Sequence, residues 1–129
     1  MIVVDTSALI AIILKEADAV LCRDVLRDSD DNLISAGTLA EAMIVASGRG
    51  IYDEMDELVS GNDLQIVDVT ATTSRLVADA YRRWGKGFHP ASLNFGDCFA
   101  YALAAERGWP LLYVGNDFAR TDILSALPA

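Results

Sequence analysis

Four short apolar runs recur along the chain, at Ile2–Asp5, Leu33–Ser35, Leu64–Asp68 and Leu111–Val114. Most are enriched in β-branched residues and all are of strand length, so each is predicted to be a β-strand. Longer segments of helical character separate them. Ser7–Leu14 and Asp18–Arg27 follow the first run, Thr38–Ser47 and Ile51–Val59 the second, and Thr72–Trp84 and Gly96–Arg107 the third. Strands alternating with helices in this way predict an α/β fold with a mostly parallel sheet covered by helices on both faces. Glycines punctuate the boundaries: Gly48 and Gly50 around Arg49, Gly61 before Asn62, and Gly108 before Trp109-Pro110. The longest loop candidate is Gly85–Pro90. With no repeat or linker in 129 residues, one domain over 1–129 is expected. The tail Ala126–Ala129 is assigned to no element, a short edge segment being the one role open to it.

Composition narrows the class. An apolar fraction of 53% is ample for a globular core and argues against disorder. No apolar run approaches the roughly 18 residues of a membrane span. The N-terminus lacks a basic region and Asp5 breaks its apolar start, so no secretory signal is expected and the chain reads as cytoplasmic. Cys22, Cys98 and His89 complete the cysteine and histidine inventory, which cannot supply the usual structural zinc site. Both thiols are expected to pack as small apolar residues. A net charge of −9 works against non-specific nucleic-acid binding, which depends on basic residues. The basic cluster Arg82, Arg83 and Lys86 and any bound cation would offset it locally.

Four acids stand where acids are costly. Asp5 closes the first strand, Glu41 interrupts the apolar run Thr38–Ala46, Asp97 opens the apolar stretch Cys98–Ala105, and Asp117 follows the last strand. A buried carboxylate needs a partner, a proton or a metal, and no matching set of basic residues is embedded in apolar sequence. In an open parallel sheet, functional groups gather beyond the carboxyl ends of the strands, so all four acids can share one rim. Magnesium and manganese take oxygen ligands of this kind. Each acid also has a plainer role: Asp5 as a helix cap, Asp97 as the complement of a helix N-terminus capped by Asn94, Asp117 as a turn residue, and Glu41 as one half of a salt bridge. One cation accounts for all four together.

The arrangement resembles the PIN domain, and more closely the VapC-type ribonuclease toxins of toxin–antitoxin pairs. The motifs that carry the resemblance are Ile2-Val3-Val4-Asp5-Thr6-Ser7-Ala8-Leu9, Thr38-Leu39-Ala40-Glu41-Ala42, Leu93–Ala102 around Asp97, and Gly115–Ile123 around Asp117. The resemblance implies a three-layer α/β/α sandwich and a Mg²⁺- or Mn²⁺-dependent endoribonuclease. Asp5, Glu41, Asp97 and Asp117 would be its catalytic and metal-binding acids, with Asn116, Asp122 and Thr6 as further contributors. Asp5 and Asp97 would be the direct ligands. Thr6 and Ser7 would hydrogen-bond those carboxylates, although for Ser7 starting a helix is the favoured role. Hydrolysis of an RNA phosphodiester would leave a 5′-phosphate and a 3′-hydroxyl. The resemblance also implies a VapB-like cognate antitoxin and a homodimer or toxin–antitoxin hetero-oligomer, with no membrane partner. The apolar surfaces of Ser7–Leu14 and Ile44–Ile51 are candidates for the antitoxin groove, although plain core is the better expectation residue by residue.

Arg82, Arg83 and Lys86 are candidate RNA contacts, with a solvated helix end as the alternative. Phe88 and Trp84 are expected to be buried against the core, base stacking being the alternative. Two other classes share the acids: a phosphatase on an α/β fold, and a non-enzymatic metal-binding module. Against the phosphatase, the first motif carries a single aspartate rather than a close pair.

Overall fold

The computed structural model describes residues 1–128. Its sheet has four parallel strands, β1 (Ile2–Val4), β2 (Asn32–Ser35), β3 (Leu64–Val67) and β4 (Leu111–Leu112), in the order β3-β2-β1-β4. Successive side chains of a strand point to opposite faces, so the sheet feeds two cores. Val3, Leu33 and Leu111 pack beneath α5 (Ala71–Trp84) and α6 (Phe95–Arg107). Ile2, Val4, Ile34 and Leu112 pack against α1 (Thr6–Ile13), α2 (Ala19–Asp28), α3 (Ala36–Gly48) and α4 (Tyr52–Gly61). This is the expected three-layer sandwich. Cys22 and Cys98 are buried free thiols, raised by burial to about 11 and about 12. No helix among the described residues is long and apolar enough to cross a membrane.

The predicted elements are all present, with ends shifted by a residue or two. One such difference bears on the site: β4 stops at Leu112 rather than Val114. Beyond Leu112 the ladder gives way to a side chain: the Val114 N–H donates to Ser7 Oγ at 3.0 Å. The tail does border the sheet, starting just before Ala126. Leu111 bridges Ser125, with Leu111 N donating to Leu124 O at 2.8 Å and Ala126 N to Leu111 O at 2.9 Å. Ala129, the last residue of that tail, lies outside the described residues. A short 3₁₀ turn at Phe118–Arg120, absent from the sequence reading, buries Phe118 against Tyr113.

The strand order positions the site. The chain steps outward from β1 to β2 to β3, then returns to lay β4 on the other side of β1. The connections after β1 and β4 therefore leave in opposite directions, opening a crevice at the carboxyl ends of those strands. The Asp5 N–H donates to Leu112 O at 3.0 Å across this junction. α3 and α6 meet closely over it: a Cβ on Gly37 would fall 2.3 Å from the Phe99 ring. That approach sets the helix carrying Glu41 against the one carrying Asp97.

Candidate metal-binding active site

Asp5 is the N-cap of α1 and only 2% exposed. Its Oδ2 accepts the Ser7 N–H at 3.0 Å and the Ser7 hydroxyl at 2.6 Å, while its Oδ1 is buried with no hydrogen-bond partner. Capping thus holds for Asp5 but satisfies only one of its oxygens. Ser7 does more than begin a helix, because its hydroxyl also ties Asp5 to the strand end at Val114.

Glu41 sits half-buried on α3 and takes the Thr6 hydroxyl at Oε1, 2.8 Å away, rather than an arginine. Asp97 is the third residue of α6 in a capping box: Asn94 Oδ1 accepts the Asp97 N–H at 2.8 Å, and Asp97 Oδ2 accepts the Asn94 N–H at 2.9 Å. Asp117 is exposed at the lip of the crevice with Asn116 beside it. The three inner acids share a pattern. Each commits one oxygen to hydrogen bonds from within the protein and keeps the other free of such bonds among the described residues.

Electrostatics join them. Burial raises Asp5 to about 7 against the opposing Ser7 hydrogen bonds, with repulsion from Asp97 and Glu41 adding to the rise. Burial likewise raises Asp97 to about 6 against the Asn94 hydrogen bond, with Glu41 and Asp117 adding repulsion. Asp97 is the link among the four predicted acids: it is repelled by Glu41 and Asp117, and with Glu41 it repels Asp5. Among the described residues, no three His, Cys, Asp or Glu side chains are already drawn together as a ligand shell. The donor set nonetheless fits a hard divalent cation: it is all carboxylate, its most buried oxygen lacks a partner, and positive charge would relieve the repulsion that adds to the rise of two of its members.

Gly96, expected only as the first residue of a helix, makes room for this arrangement. A Cβ there would stand 1.7 Å from Glu41 Oε2. Because that atom ends a flexible side chain, Gly96→Ala should displace the carboxylate and leave the fold standing. The expected result is a loss of roughly 10–100-fold in kcat/KM with Tm unchanged or raised, alanine being the better helix former. Steady-state cleavage and thermal melting check both halves. The sequence signal was available, since Gly96 directly precedes Asp97 at the mouth of a helix.

Asp122 lies elsewhere. Its Oδ1 accepts the Tyr101 hydroxyl at 2.5 Å, and Arg83 lies 3.4 Å from its Oδ2. Tyr101 is itself bound by Trp84 Nε1 at 2.9 Å. No sequence spacing announces this network, which fastens the segment after β4 to α6 and α5. Asp122→Asn should therefore lower Tm yet keep cleavage within a few-fold, whereas Asp117→Asn should cost about tenfold or more. Parallel assays of the two variants decide between them.

The basic candidates are partly engaged. Arg83 pairs with Asp122 and lies over the Trp84 ring at 4.7 Å, and Arg82 lies 3.6 Å from Asp79. Lys86 has no ion pair among the described residues. Trp84 is half-buried against Tyr101 and His89, as expected. Phe88 corrects the expectation of burial: it is 63% exposed, because Tyr81 takes it edge-on at 5.9 Å without covering it. The apolar positions of α1 are buried except Ile13, which is partly buried, whereas Ile44 is exposed. Ile44 borders a cleft of about 320 Å³ with Ala40, Val45, Phe95 and Phe99, and Glu41 and Gly96 form its acidic end.

A parallel sheet in the order 3-2-1-4, with four acids around its switch point, defines a class. The chain belongs to the PIN-domain family, whose model matches residues 2–124. Within that family it falls among the VapC ribonucleases. It is 43% identical to Ribonuclease VapC28 of Mycobacterium tuberculosis over 129 residues, covering 97% of each chain. In fold it is similar to the crystal structure of M. tuberculosis VapC20, a Sarcin-Ricin loop cleaving toxin, with a TM-score of 0.79, 16% identity and coverage of 99% of this chain and 100% of that one. It is also similar to a chain of a toxin–antitoxin complex from Klebsiella pneumoniae, with a TM-score of 0.70, 17% identity and full coverage of both chains.

Proposed function

We propose that the chain is the endoribonuclease toxin of a toxin–antitoxin pair and hydrolyses RNA phosphodiester bonds at the Asp5–Glu41–Asp97–Asp117 rim with Mg²⁺ or Mn²⁺ bound. The observation that carries this reading is the buried Asp5 Oδ1, an acceptor without a partner among mutually repelling carboxylates. Asp5 and Asp97 would hold the ion, and Asp117 at the lip would complete a second position. A bound divalent ion would supply Lewis acidity at a phosphoryl oxygen and stabilise the departing 3′ oxygen.

The chain's own groups do the positioning. Ser7 orients Asp5 through its hydroxyl and its N–H. Thr6 holds Glu41 Oε1, which leaves Oε2, set against Gly96, as the oxygen that would accept a hydrogen bond from the attacking water. Asn94 fixes Asp97 from both sides of the capping box. The fold neighbour from a Klebsiella pneumoniae toxin–antitoxin complex supports a cognate antitoxin. A basic side chain from that partner would neutralise the rim, while an apolar segment would fill the Ile44–Phe95–Phe99 cleft. Assembly into a homodimer or a hetero-oligomer with the antitoxin, and work in the cytoplasm, complete the reading.

The test is incubation of purified protein with total RNA in Mg²⁺, in Mn²⁺ and in chelator. Defined fragments with 5′-phosphate ends that need the metal are expected. Intact RNA in both metals, with inorganic phosphate released from small esters, would instead mark a phosphatase.

A further inference from the structure

Phe88 presents an apolar ring to solvent from a loop that is otherwise well tied down. Lys86 N donates to Leu93 O at 2.9 Å and Leu93 N to Trp84 O at 3.1 Å, closing the base of the loop. Inside it, Phe88 N and His89 N both donate to Gly85 O, Ser92 N donates to His89 O, and Ala91 N donates to His89 Nδ1. The His89 ring is anchored edge-on to Trp84, with centroids 4.7 Å apart. A fixed loop carrying an exposed phenylalanine is preorganised for contact, since little further ordering is needed when something stacks on the ring.

The charge around it is just as distinctive. In a chain with 19 acids, the stretch from Tyr81 to Gly96 contains no Asp or Glu while carrying Arg82, Arg83 and Lys86. The ion pairs of Arg82 and Arg83 are exposed and therefore weak, and Lys86 has none among the described residues. The loop also flanks the acidic rim. Its far end runs from buried Leu93 directly into Asn94, the cap of the helix bearing Asp97. Its middle is tied to the turn after Asp117, where Arg120 Nη1 donates to Pro90 O at 3.1 Å.

We infer that the Gly85–Leu93 loop is a grip for single-stranded RNA, in which Phe88 stacks on an unpaired base and Lys86 meets a phosphate. An aromatic face beside cationic groups is how proteins hold single strands without reading their sequence, and stacking demands a base not already paired. The grip therefore selects unpaired segments and feeds them to the neighbouring acids. It rests on the ribonuclease reading, and its test separates the two.

Full-length protein in chelator is titrated with a short fluorescein-labelled single-stranded RNA over a range of KCl. Phe88→Ala is expected to weaken binding about tenfold, Phe88→Trp to restore it, and Lys86→Ala to reduce the salt dependence by about one phosphate. In cleavage assays with metal, Phe88→Ala is expected to raise KM and leave kcat in place. Unchanged affinity and salt slope in both alanine variants, with cleavage intact, would overturn the grip and leave the ribonuclease standing. Binding that depends on Phe88, without cleavage in either metal, would keep the grip and remove the ribonuclease. A parent protein that neither binds nor cuts RNA would remove both.

Discussion

Asp5→Asn and Asp97→Asn should each lower RNA cleavage by on the order of 10²–10³-fold or more, while the chelated proteins melt at higher temperature than the parent at about pH 8. The two effects have one origin. Asp5 is almost fully buried and raised to about 7, and Asp97 is half-buried and raised to about 6, each chiefly by burial. At about pH 8 the folded protein must keep both charged at an unfavourable position. An amide of the same shape removes that charge and can still accept the Ser7 or Asn94 hydrogen bonds through its carbonyl oxygen. It also removes an anionic oxygen that a cation would need. Loss of activity with gain of stability is the expected signature of a site whose charges oppose the fold. A variant that lost both together would point to a merely structural role. Thermal melts beside cleavage assays read the pair.

The second large effect is on stability against pH. The unfolded chain titrates its aspartates near ~3.9, well below the folded values of Asp5 and Asp97. Over the interval between, the folded protein retains protons that the unfolded chain has released. The associated stability is fully present below about pH 4 and is lost as pH rises through about 6 and about 7. In chelator, Tm should therefore fall from about pH 5 to about pH 8, by roughly 5 °C or more. Mg²⁺ or Mn²⁺ should reverse the fall. Its stabilisation should be greater at about pH 8 than at about pH 5, because the ion competes with protons for the same oxygens. The Asp5→Asn/Asp97→Asn double variant should show a flatter profile and little response to metal. Differential scanning calorimetry across the range, with and without metal, checks each part.

Much of this was legible in the chain itself. Apolar runs of strand length alternating with helical segments establish the layers, because burial of a strand and of a helix face leave different periods. The acids were legible for a related reason: Asp5, Glu41 and Asp97 interrupt apolar sequence, and such interruptions are costly unless used. What escaped was set by tertiary approach. Gly96 matters because α3 brings Glu41 against it, a contact between residues 55 positions apart by their numbers. Asp122 was a candidate contributor through the resemblance of its terminal motif, and the 3₁₀ turn before it sets it against Tyr101 and Arg83. Phe88 read as core because phenylalanine usually is, and only the closed geometry of its loop puts it in solvent. The predicted end of β4 ran too far because the Val114 N–H donates to Ser7 Oγ, 107 residues away, instead of to the ladder.

The central claim is that the free oxygens of Asp5 and Asp97 share a divalent cation at the carboxyl ends of β1 and β4. Crystals grown with Mn²⁺ and measured near the manganese absorption edge test it most directly. The expected result is an anomalous peak bonded by both carboxylates, lost in the Asp97→Asn protein. No peak at that crevice in saturating Mn²⁺, or an ion held by other side chains, would contradict it.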